Sequence, residues 1–435
     1  MRVLLAGMMA IVLAGCGDDS STVSEVGPEL GADLATDLAG DEPMPDAGDV
    51  DAAASPFPPP AALPEVEDPF AVLEDADGTA IDAAAWPAER TRLIDLFSQY
   101  IYGVAPNVMA ITSEVLTRAS DVDGAEYEEV AITVGPLTIH LALFRPPGSE
   151  PTPVILALNK CGNQTVSTDA RVRQTTSRII AGCGSRTPDG TVGLRDESWP
   201  VDAIVARGFT LATFHESDVR PDLPSDRGAS AELEVDAPED RRWGALAQWA
   251  WGLRHAVSYL ASDSRIDSAQ IALTGHSRRG KAALWAAALD ERVAIVMPHQ
   301  SGTMGASLTR GGTGETVSDI ALVFPHWFAP VFQGFRDAPS RLPVDQHQLV
   351  ALVAPRSLLS SNGADDFRAD PPSALRAAEL ADPVWELLGS DGLMLVDSEP
   401  EFEGTLSWFT RDGGHSIEMR DWTTFLDYAS SQLSE

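Results

Sequence analysis

A serine lies at the junction of two predicted secondary-structure elements in the segment LTGHSRRGKAALW, which runs from Leu273 to Trp285. The apolar run QIALTGHS predicts a buried strand, and RRGKAALWAAALD predicts a helix beginning directly after Ser277. A strand-to-helix turn of this kind can present a nucleophilic serine. The usual G-x-S-x-G pattern, however, needs glycine at 279, and this chain has Arg279 there and glycine one step later. Two interpretations therefore stay open locally: a nucleophile, or a serine that caps an ordinary helix.

A serine nucleophile also needs a histidine base and an acid that orients it. His415 lies in the glycine-rich segment RDGGHSIEMRDW, and SNGADDFRADP offers Asp365, Asp366 and Asp370 after a predicted strand. The order serine, acid, histidine is that of α/β-hydrolases. Each of these residues could instead be a solvated loop residue. The residues alone leave the choice among the three aspartates open.

The elements that would position these residues alternate along the chain. Strands are predicted in EYEEVAITV, LTIHLALFRP, TPVILALN, FTLATFHES, VAIVMPHQSG and APRSLLSSNGADD. Helices are predicted in WPAERTRLIDLFSQYIYG, RRWGALAQWAWGLRHAVSYLAS and DWTTFLDYASSQL. Strands that alternate with helices indicate an α/β fold with a mainly parallel central sheet. With 44% apolar residues, one large domain over residues 69–435 can bury a sizeable core.

The N-terminal segment has the pattern of an export signal. Arg2, an apolar run and the small-residue sequence LAGC predict a signal peptide over residues 1–16 that ends at a lipidated Cys16. This ending resembles the lipobox of bacterial lipoproteins; a plain signal peptide or a short membrane anchor is the alternative. Residues 17–68, rich in Asp, Ala and Pro, predict a disordered tether. We therefore expect an exported lipoprotein of the outer membrane or cell surface, with the periplasm as a further possibility.

Charge and histidine content exclude several other functions. The net charge of −35 argues against nucleic acids and anionic membrane surfaces as partners, so membrane contact is expected only through the lipid on Cys16. No metal-binding spacing is present, His326 and His347 are interpreted as structural, and no metal or organic cofactor is expected. No dimerisation signal is visible, so we expect a monomer. Cys161 and Cys183 are candidates for a disulfide in an oxidising compartment, with two buried thiols as the alternative.

Several segments together resemble one family. GHSRRGKAALW, GTGETVSDIALVFPHWF, LPVDQHQLVALVAPR and DDFRADP are similar to segments of the bacterial glucuronoyl esterases of carbohydrate esterase family 15, and the resemblance extends back to WPAERTRLIDLFSQYIYG. It covers nearly all of the predicted domain and implies the three-layer α/β-hydrolase sandwich. This family places its glycine one step later than G-x-S-x-G, so the resemblance favours a nucleophile at Ser277.

The resemblance also implies roles for the neighbouring residues. Ser277 becomes the nucleophile, His415 the base, and Arg278 a cation that faces the developing oxyanion. Asp366 becomes the acid, at a position used by bacterial members. Two further residues, Lys281 and Glu315, are implied to bind hydroxyl groups of the glucuronoyl ring. Without the resemblance, these last two would be interpreted as a surface helix charge and a loop carboxylate.

Two residues depart from the family pattern. Gln300 stands where many relatives have a catalytic glutamate, and a neutral amide cannot stabilise an imidazolium with charge. Arg368 stands where relatives often have a tryptophan that contacts the sugar, although an arginine can stack or pair with a carboxylate. We therefore expect the two departures to affect efficiency and substrate preference more than fold.

The expected function is that of a serine esterase that cleaves esters between glucuronic acid of glucuronoxylan, often 4-O-methylated, and lignin alcohols. The expected partner is accordingly the lignin-carbohydrate complex. Two alternatives remain. One is an acetyl-xylan or general carboxylesterase, which Lys281 and Glu315 argue against. The other is a catalytically weakened glucuronoxylan-binding lipoprotein, for which Gln300 and Arg368 are the best support.

Overall fold

The computed structural model describes residues 57–66, 71–75, 77–179, 199–233, 235–396, 402 and 404–433. Residues Val50–Glu435 form one compact unit. The predicted signal peptide, Cys16, most of the predicted tether and Cys183 lie outside the described residues. Among the helices that are described, none combines the length and the apolar character needed to cross a membrane.

The described chain forms a ten-stranded sheet, whose strands follow in chain order. They are β1 (Thr112–Val122), β2 (Ala125–Val134), β3 (Leu137–Arg145), β4 (Thr152–Asn159), β5 (Thr210–His215), β6 (Ile266–His276), β7 (Ile295–His299), β8 (Ser357–Gly363), β9 (Leu393–Val396) and β10 (Leu406–Arg411). Across the sheet their order is β1-β2-β3-β5-β4-β6-β7-β8-β10-β9. The pairs β1–β2, β2–β3 and β3–β5 are antiparallel, and the remaining pairs are parallel. The predicted α/β class with a mainly parallel sheet is thus confirmed.

Helices cover both faces of this sheet. They are α1 (Trp86–Phe97), α2 (Val201–Ala206), α3 (Ala245–Leu260), α4 (Arg278–Leu289), α5 (Val317–Val323), α6 (Gln346–Ala351), α7 (Pro371–Leu387) and α8 (Met419–Gln432). One core cluster joins α1, α3, α4, α6 and α7 to the sheet, and the other joins α2 and α8 to its opposite face. The continuous apolar run of β4 serves both clusters, since Val154 and Leu156 face the first and Ile155 faces the second.

The register of the parallel strands brings four loops to one edge. His276 at the end of β6 pairs with His299 of β7, and His299 pairs with Ser361 of β8. Arg411 at the end of β10 pairs with Gly363 of β8. Because the carboxyl ends of neighbouring parallel strands meet at one edge of a sheet, the loops after β6, β7, β8 and β10 lie side by side. These loops carry Ser277, Gln300, Asp366 and His415.

The last part of the predicted tether is packed on the domain. The Tyr100 hydroxyl donates a hydrogen bond to the carbonyl of Pro58 at 3.1 Å, and Arg341 Nη1 donates to the carbonyl of Leu63 at 3.1 Å. Phe57 and Leu63 pack against the first core cluster. The predicted start of order near Pro69 is therefore too late. Composition averaged over the acidic segment concealed two apolar side chains that find partners in the core.

Candidate active site

Ser277 occupies a strained turn between β6 and α4. Its φ of 59° and ψ of −128° lie in a region that non-glycine residues rarely adopt. The Ser277 N–H donates to the carbonyl of His299 at 2.9 Å, which ties the turn to the neighbouring strand. This is the geometry of a nucleophile elbow, in which the serine side chain stands clear of the sheet at the start of a helix.

The position of the second glycine follows from close contacts within this turn. A Cβ added to Gly280 would lie 2.6 Å from the carbonyl oxygen of Gly275 and 3.1 Å from Cβ of Ser301. A Cβ added to Gly275 would lie 2.5 Å from the carbonyl carbon and oxygen of Arg279. Both contacts are too close for a side chain, so the elbow needs glycine at 275 and 280. At 279 there is room for a side chain.

Arg279 uses that room to anchor the elbow. Its Nη2 donates to Oε1 of the fully buried Glu216 at 2.8 Å, in the segment directly after β5. Burial raises the pKa of Glu216 to about 7, although the charge of Arg279 opposes this. Neither residue is recognisable from the sequence as part of the site. Glu216 lies in a segment with several acids, and nothing in its local pattern marks it.

His415 and Asp366 form a hydrogen-bonded pair beside the elbow. Nδ1 of His415 lies 2.6 Å from Oδ2 of Asp366, whose residue is only 3% exposed. A carboxylate only accepts hydrogen bonds, so His415 donates through Nδ1 and its Nε2 is left as the acceptor. The imidazole ring of His276 lies 4.5 Å from that of His415, centroid to centroid. Because His276 directly precedes Ser277, His415 and Ser277 stand in adjoining loops.

The structure separates the three candidate aspartates. Asp365 is exposed. Asp370 caps the N-terminus of α7, where Oδ1 accepts from the Ser373 N–H at 3.2 Å. Its Oδ2 accepts from the N–H of Gly314 at 2.9 Å and joins two loops. Asp366 is therefore the aspartate of the three that the structure places against His415.

Arg278 is held in place by a buried carboxylate, Asp222, that no local sequence pattern indicates. Its Nη1 donates to Oδ2 of Asp222, and its guanidinium lies 4.5 Å from the ring centroid of Trp327. Oδ1 of Asp222 accepts from Nε2 of His326 at 2.9 Å and from Nε1 of Trp327 at 2.7 Å. Burial alone would raise the pKa of Asp222, but Arg278 and His326 hold it well below its ordinary range. His326, which was interpreted as structural, thus contacts the carboxylate that fixes Arg278.

Lys281 is buried below the site rather than exposed on the helix. Its Nζ donates to the carbonyls of Ser301 and Thr303, and the residue is 3% exposed. Burial lowers the pKa of Lys281 to about 8, with the charge of Glu315 acting in the opposite direction. The hydroxyl of Thr303 donates to the carbonyl of Glu315 at 2.6 Å. Lys281 and the half-buried Glu315 therefore belong to one polar cluster next to the elbow.

The lowered pKa of Lys281 predicts how the free energy of unfolding depends on pH. The folded value of about 8 lies below the ordinary 10.5, so the unfolded chain binds more protons between these two pH values. The contribution of this residue to the free energy of unfolding should then rise with pH in that window, by up to about 1.4 kcal/mol per pH unit. We expect chemical denaturation to show that the free energy of unfolding of the wild type, relative to that of Lys281→Met, increases as pH rises. A difference that stays constant would contradict the lowered pKa.

The loop after β8 also carries Arg368, which is exposed at the rim. Its carbonyl accepts from the Glu315 N–H at 3.2 Å, so this loop and the Glu315 loop are joined through their backbones. The neighbouring Phe367 is 81% exposed. Cys161 is disulfide-bonded and lies in the loop after β4. Its expected partner Cys183 lies outside the described residues, so the pairing stays a prediction.

Comparison with known proteins identifies relatives for almost the whole domain. A family model described as fungal glucuronyl esterase matches residues 192–389. Carbohydrate esterase MZ0003, from an unknown prokaryotic organism, is 33% identical over 381 residues, which cover 82% of this chain and 88% of the relative. The structure of a promiscuous CE15 esterase from a marine bacterial metagenome matches with a TM-score of 0.76 and 32% identity, over 86% of this chain and 99% of that one.

A second solved structure agrees with the first. The glucuronoyl esterase from Solibacter usitatus matches with a TM-score of 0.74 and 30% identity, over 86% of this chain and 100% of that one. These relatives confirm the expected α/β-hydrolase fold. The chain belongs to carbohydrate esterase family 15, the glucuronoyl esterases.

Proposed function

We propose that this protein is a serine esterase that hydrolyses esters between the glucuronic acid of glucuronoxylan, often 4-O-methylated, and lignin alcohols. One observation carries the proposal. The His415–Asp366 pair, joined at 2.6 Å, stands beside the strained elbow that presents Ser277. Family membership supports the ester of a glucuronic acid as the substrate. The buried Lys281 and the adjacent Glu315 provide polar groups for sugar hydroxyls on the acyl side.

In the proposed reaction each step has a residue that can carry it out. Ser277 Oγ attacks the ester carbonyl while Nε2 of His415 takes its proton. The negative charge that develops on the carbonyl oxygen is stabilised by Arg278 and by backbone N–H groups at the start of α4. His415 then gives its proton to the departing alcohol. Water, deprotonated by the same imidazole, hydrolyses the glucuronoyl ester on Ser277 and regenerates the free serine.

Asp366 and Asp222 act on different charged groups in this mechanism, the imidazolium of His415 and the guanidinium of Arg278. Asp366 fixes the tautomer of His415 and stabilises the imidazolium that forms in each step. Asp222 orients the guanidinium of Arg278, which lies on the Trp327 ring, before the substrate arrives. A cation held in this way loses little energy to reorganisation when the oxyanion develops.

Replacing Asp222 with asparagine should therefore impair the chemical step. The amide cannot compensate the charge of Arg278, and its NH2 group would face either that guanidinium or the donors of His326 and Trp327. We expect kcat to fall about 10²-fold with KM changed little, because the stabilised charge exists only in the transition state. Glu239→Gln is the matched control, since Glu239 pairs with Arg242 at the exposed surface. A wild-type kcat in Asp222→Asn would contradict the orienting role.

A broader esterase is the second candidate, because one similar structure is described as a promiscuous CE15 esterase. Hydrolysis of benzyl glucuronate and benzyl acetate separates the two, since both esters release the same alcohol. We expect kcat/KM for the glucuronate to exceed that for the acetate by at least about 100-fold, from contacts worth about 3 kcal/mol. Equal values would favour the broader esterase. Binding of glucuronoxylan without turnover of either ester would favour the catalytically weakened binding protein.

We also propose that the enzyme is a lipoprotein anchored through Cys16 at the outer membrane or cell surface. The basic residue, apolar run and LAGC sequence at the N-terminus support this proposal. Labelled palmitate should enter the wild-type protein and not Cys16→Ala when both are expressed in a bacterial host. Labelling of the variant, or no labelling of the wild type, would exclude the anchor.

A further inference from the structure

Gln300 makes its contacts on both sides of His415. The residue follows β7 with a φ of 46°, and it is 1% exposed. Its Nε2 donates to the carbonyl of Gly414 at 2.8 Å, and its Oε1 accepts from the N–H of Ser416 at 2.9 Å. These two main-chain groups belong to the residues immediately before and after His415. The amide is thus hydrogen-bonded to the main chain on both sides of His415.

The partners of Gln300 define the orientation of its amide. The carbonyl of Gly414 needs a donor and the N–H of Ser416 needs an acceptor, so an amide suits both. Nε2 of His276 also lies 2.9 Å from Oε1 of Gln300, which makes this ring nitrogen a donor. The same side chain therefore joins the residue before Ser277 to the loop of His415. The ring of His415 itself is held by Asp366.

The surrounding backbone is built around this amide. A Cβ added to Gly363, the last residue of β8, would lie 2.4 Å from Nε2 of Gln300 and 2.7 Å from the carbonyl of Gly414. Gly363 therefore leaves the space in which this hydrogen bond forms. The N–H of Gln300 donates to the carbonyl of Ser361 at 2.8 Å, which fixes the main chain of Gln300 against β8.

We propose that Gln300 is a positioning residue for His415, which acts through the main chain of Gly414 and Ser416 and requires an amide rather than a carboxylate. The inference rests on the proposed esterase function. Gln300 stands where many relatives have a glutamate, and the proposed role explains this difference. Gln300 is then not a weakened substitute for an acid, because the acid contacts the imidazole from the loop after β8. Its task is to keep Nε2 of His415 aligned with Ser277.

A glutamate at position 300 should disturb these hydrogen bonds when it is ionised and preserve them when it is protonated. A protonated glutamate can donate to the carbonyl of Gly414 and accept from the N–H of Ser416, as the glutamine does. An ionised glutamate would place an oxygen against the Gly414 carbonyl and repel it. Burial favours the neutral form of the introduced group. His276 contacts the Gln300 side chain directly, and His415, His299 and Arg279 act on His276 in turn. Behind them, Asp366 pairs with His415, Asp421 with His299 and Arg411, and Glu418 with Arg411.

The test compares the pH dependence of kcat for benzyl glucuronate between Gln300→Glu and the wild type. The ratio of the two kcat values at each pH isolates the effect of the substitution. We expect the ratio to fall as pH rises, reaching a loss of about 100-fold once the introduced glutamate is ionised, while KM stays within about twofold. A ratio that does not vary with pH while the wild type is active would overturn the inference. A wild type inactive on all esters would instead contradict the proposed function.

Gln248→Glu is the matched control. Gln248 is also a buried amide, and its Nε2 donates to the carbonyl of Trp243 at 3.0 Å while its Oε1 accepts from Ser230. The same change there should lower stability and leave the kcat ratio independent of pH. A pH-dependent ratio in Gln248→Glu as well would make the Gln300 effect a general response to buried charge and overturn the inference.

Two further variants separate positioning from acid catalysis. Gln300→Met removes the side-chain hydrogen bonds to Gly414, Ser416 and His276 without adding charge, so we expect kcat to fall at least about tenfold at every pH with KM unchanged. A wild-type kcat in Gln300→Met would overturn the inference even if Gln300→Glu does not fold. The double variant Asp366→Asn with Gln300→Glu should be no more active than Asp366→Asn alone. Recovery of activity would show that a carboxylate at 300 reaches the imidazole, against the proposal.

Discussion

Replacing Ser277 with alanine is expected to lower kcat for benzyl glucuronate by about 10⁵- to 10⁶-fold, because the covalent step loses its nucleophile. The change removes one oxygen from a half-buried side chain, so the fold should be retained. Steady-state hydrolysis with product detection is the measurement. Ser431→Ala, which removes a hydroxyl that donates to the carbonyl of Tyr428 in α8, should keep wild-type activity. More than about 1% residual activity in Ser277→Ala would rule out this serine as the nucleophile.

The second large effect is expected from Asp366→Asn. An amide at this position can donate to Nδ1 of His415 and so stabilise the tautomer in which Nε2 cannot accept the proton of Ser277. It also cannot stabilise the imidazolium with charge. We expect kcat to fall about 10³- to 10⁴-fold with KM within a few fold, measured on benzyl glucuronate.

The neighbouring aspartates provide the controls for this prediction. Asp365→Asn should keep wild-type kcat, because Asp365 is exposed and Asp366 holds the imidazole. Asp370→Asn should lower the free energy of unfolding by about 1 kcal/mol or more, since it weakens the cap of α7 and the bonds to Gly314. A loss of kcat in Asp365→Asn as large as that in Asp366→Asn would reassign the acid.

The positions of the candidate serine and histidine could be predicted because their sequence signals are local. An apolar strand followed at once by a helix predicted the turn that presents Ser277, and a glycine-rich loop before the last helix predicted the position of His415. The late glycine was ambiguous from the pattern alone. The structure explains the late glycine, because a Cβ added to Gly280 would lie 2.6 Å from the carbonyl oxygen of Gly275. The close contact is therefore at residue 280 and not at residue 279.

What the sequence did not reveal depends on long-range pairing. Three strands and four helices were not predicted: β1, β9, β10, α2, α5, α6 and α7. β1 is mostly exposed, and β9, β10, α2, α5 and α6 are only four to seven residues long, which is too short for a clear periodic pattern. α7 begins with two prolines and contains Pro383, which is atypical of a helix. Asp222 is one of several acids in its segment, and only the fold brings it under Arg278. The hydrogen bonds that Gln300 makes across the loop of His415 likewise require β7, β8 and β10 to be aligned at their ends.

Detection of the covalent intermediate tests the proposed mechanism most directly. An aryl ester of glucuronic acid has a good leaving group, so acylation should outpace deacylation and the glucuronoyl-enzyme should accumulate. After rapid acid quenching and proteolysis, mass spectrometry should find a glucuronoyl group on Ser277 in the wild type and none in Ser277→Ala. Turnover with a burst of released alcohol but with the adduct on a residue other than Ser277 would contradict the mechanism.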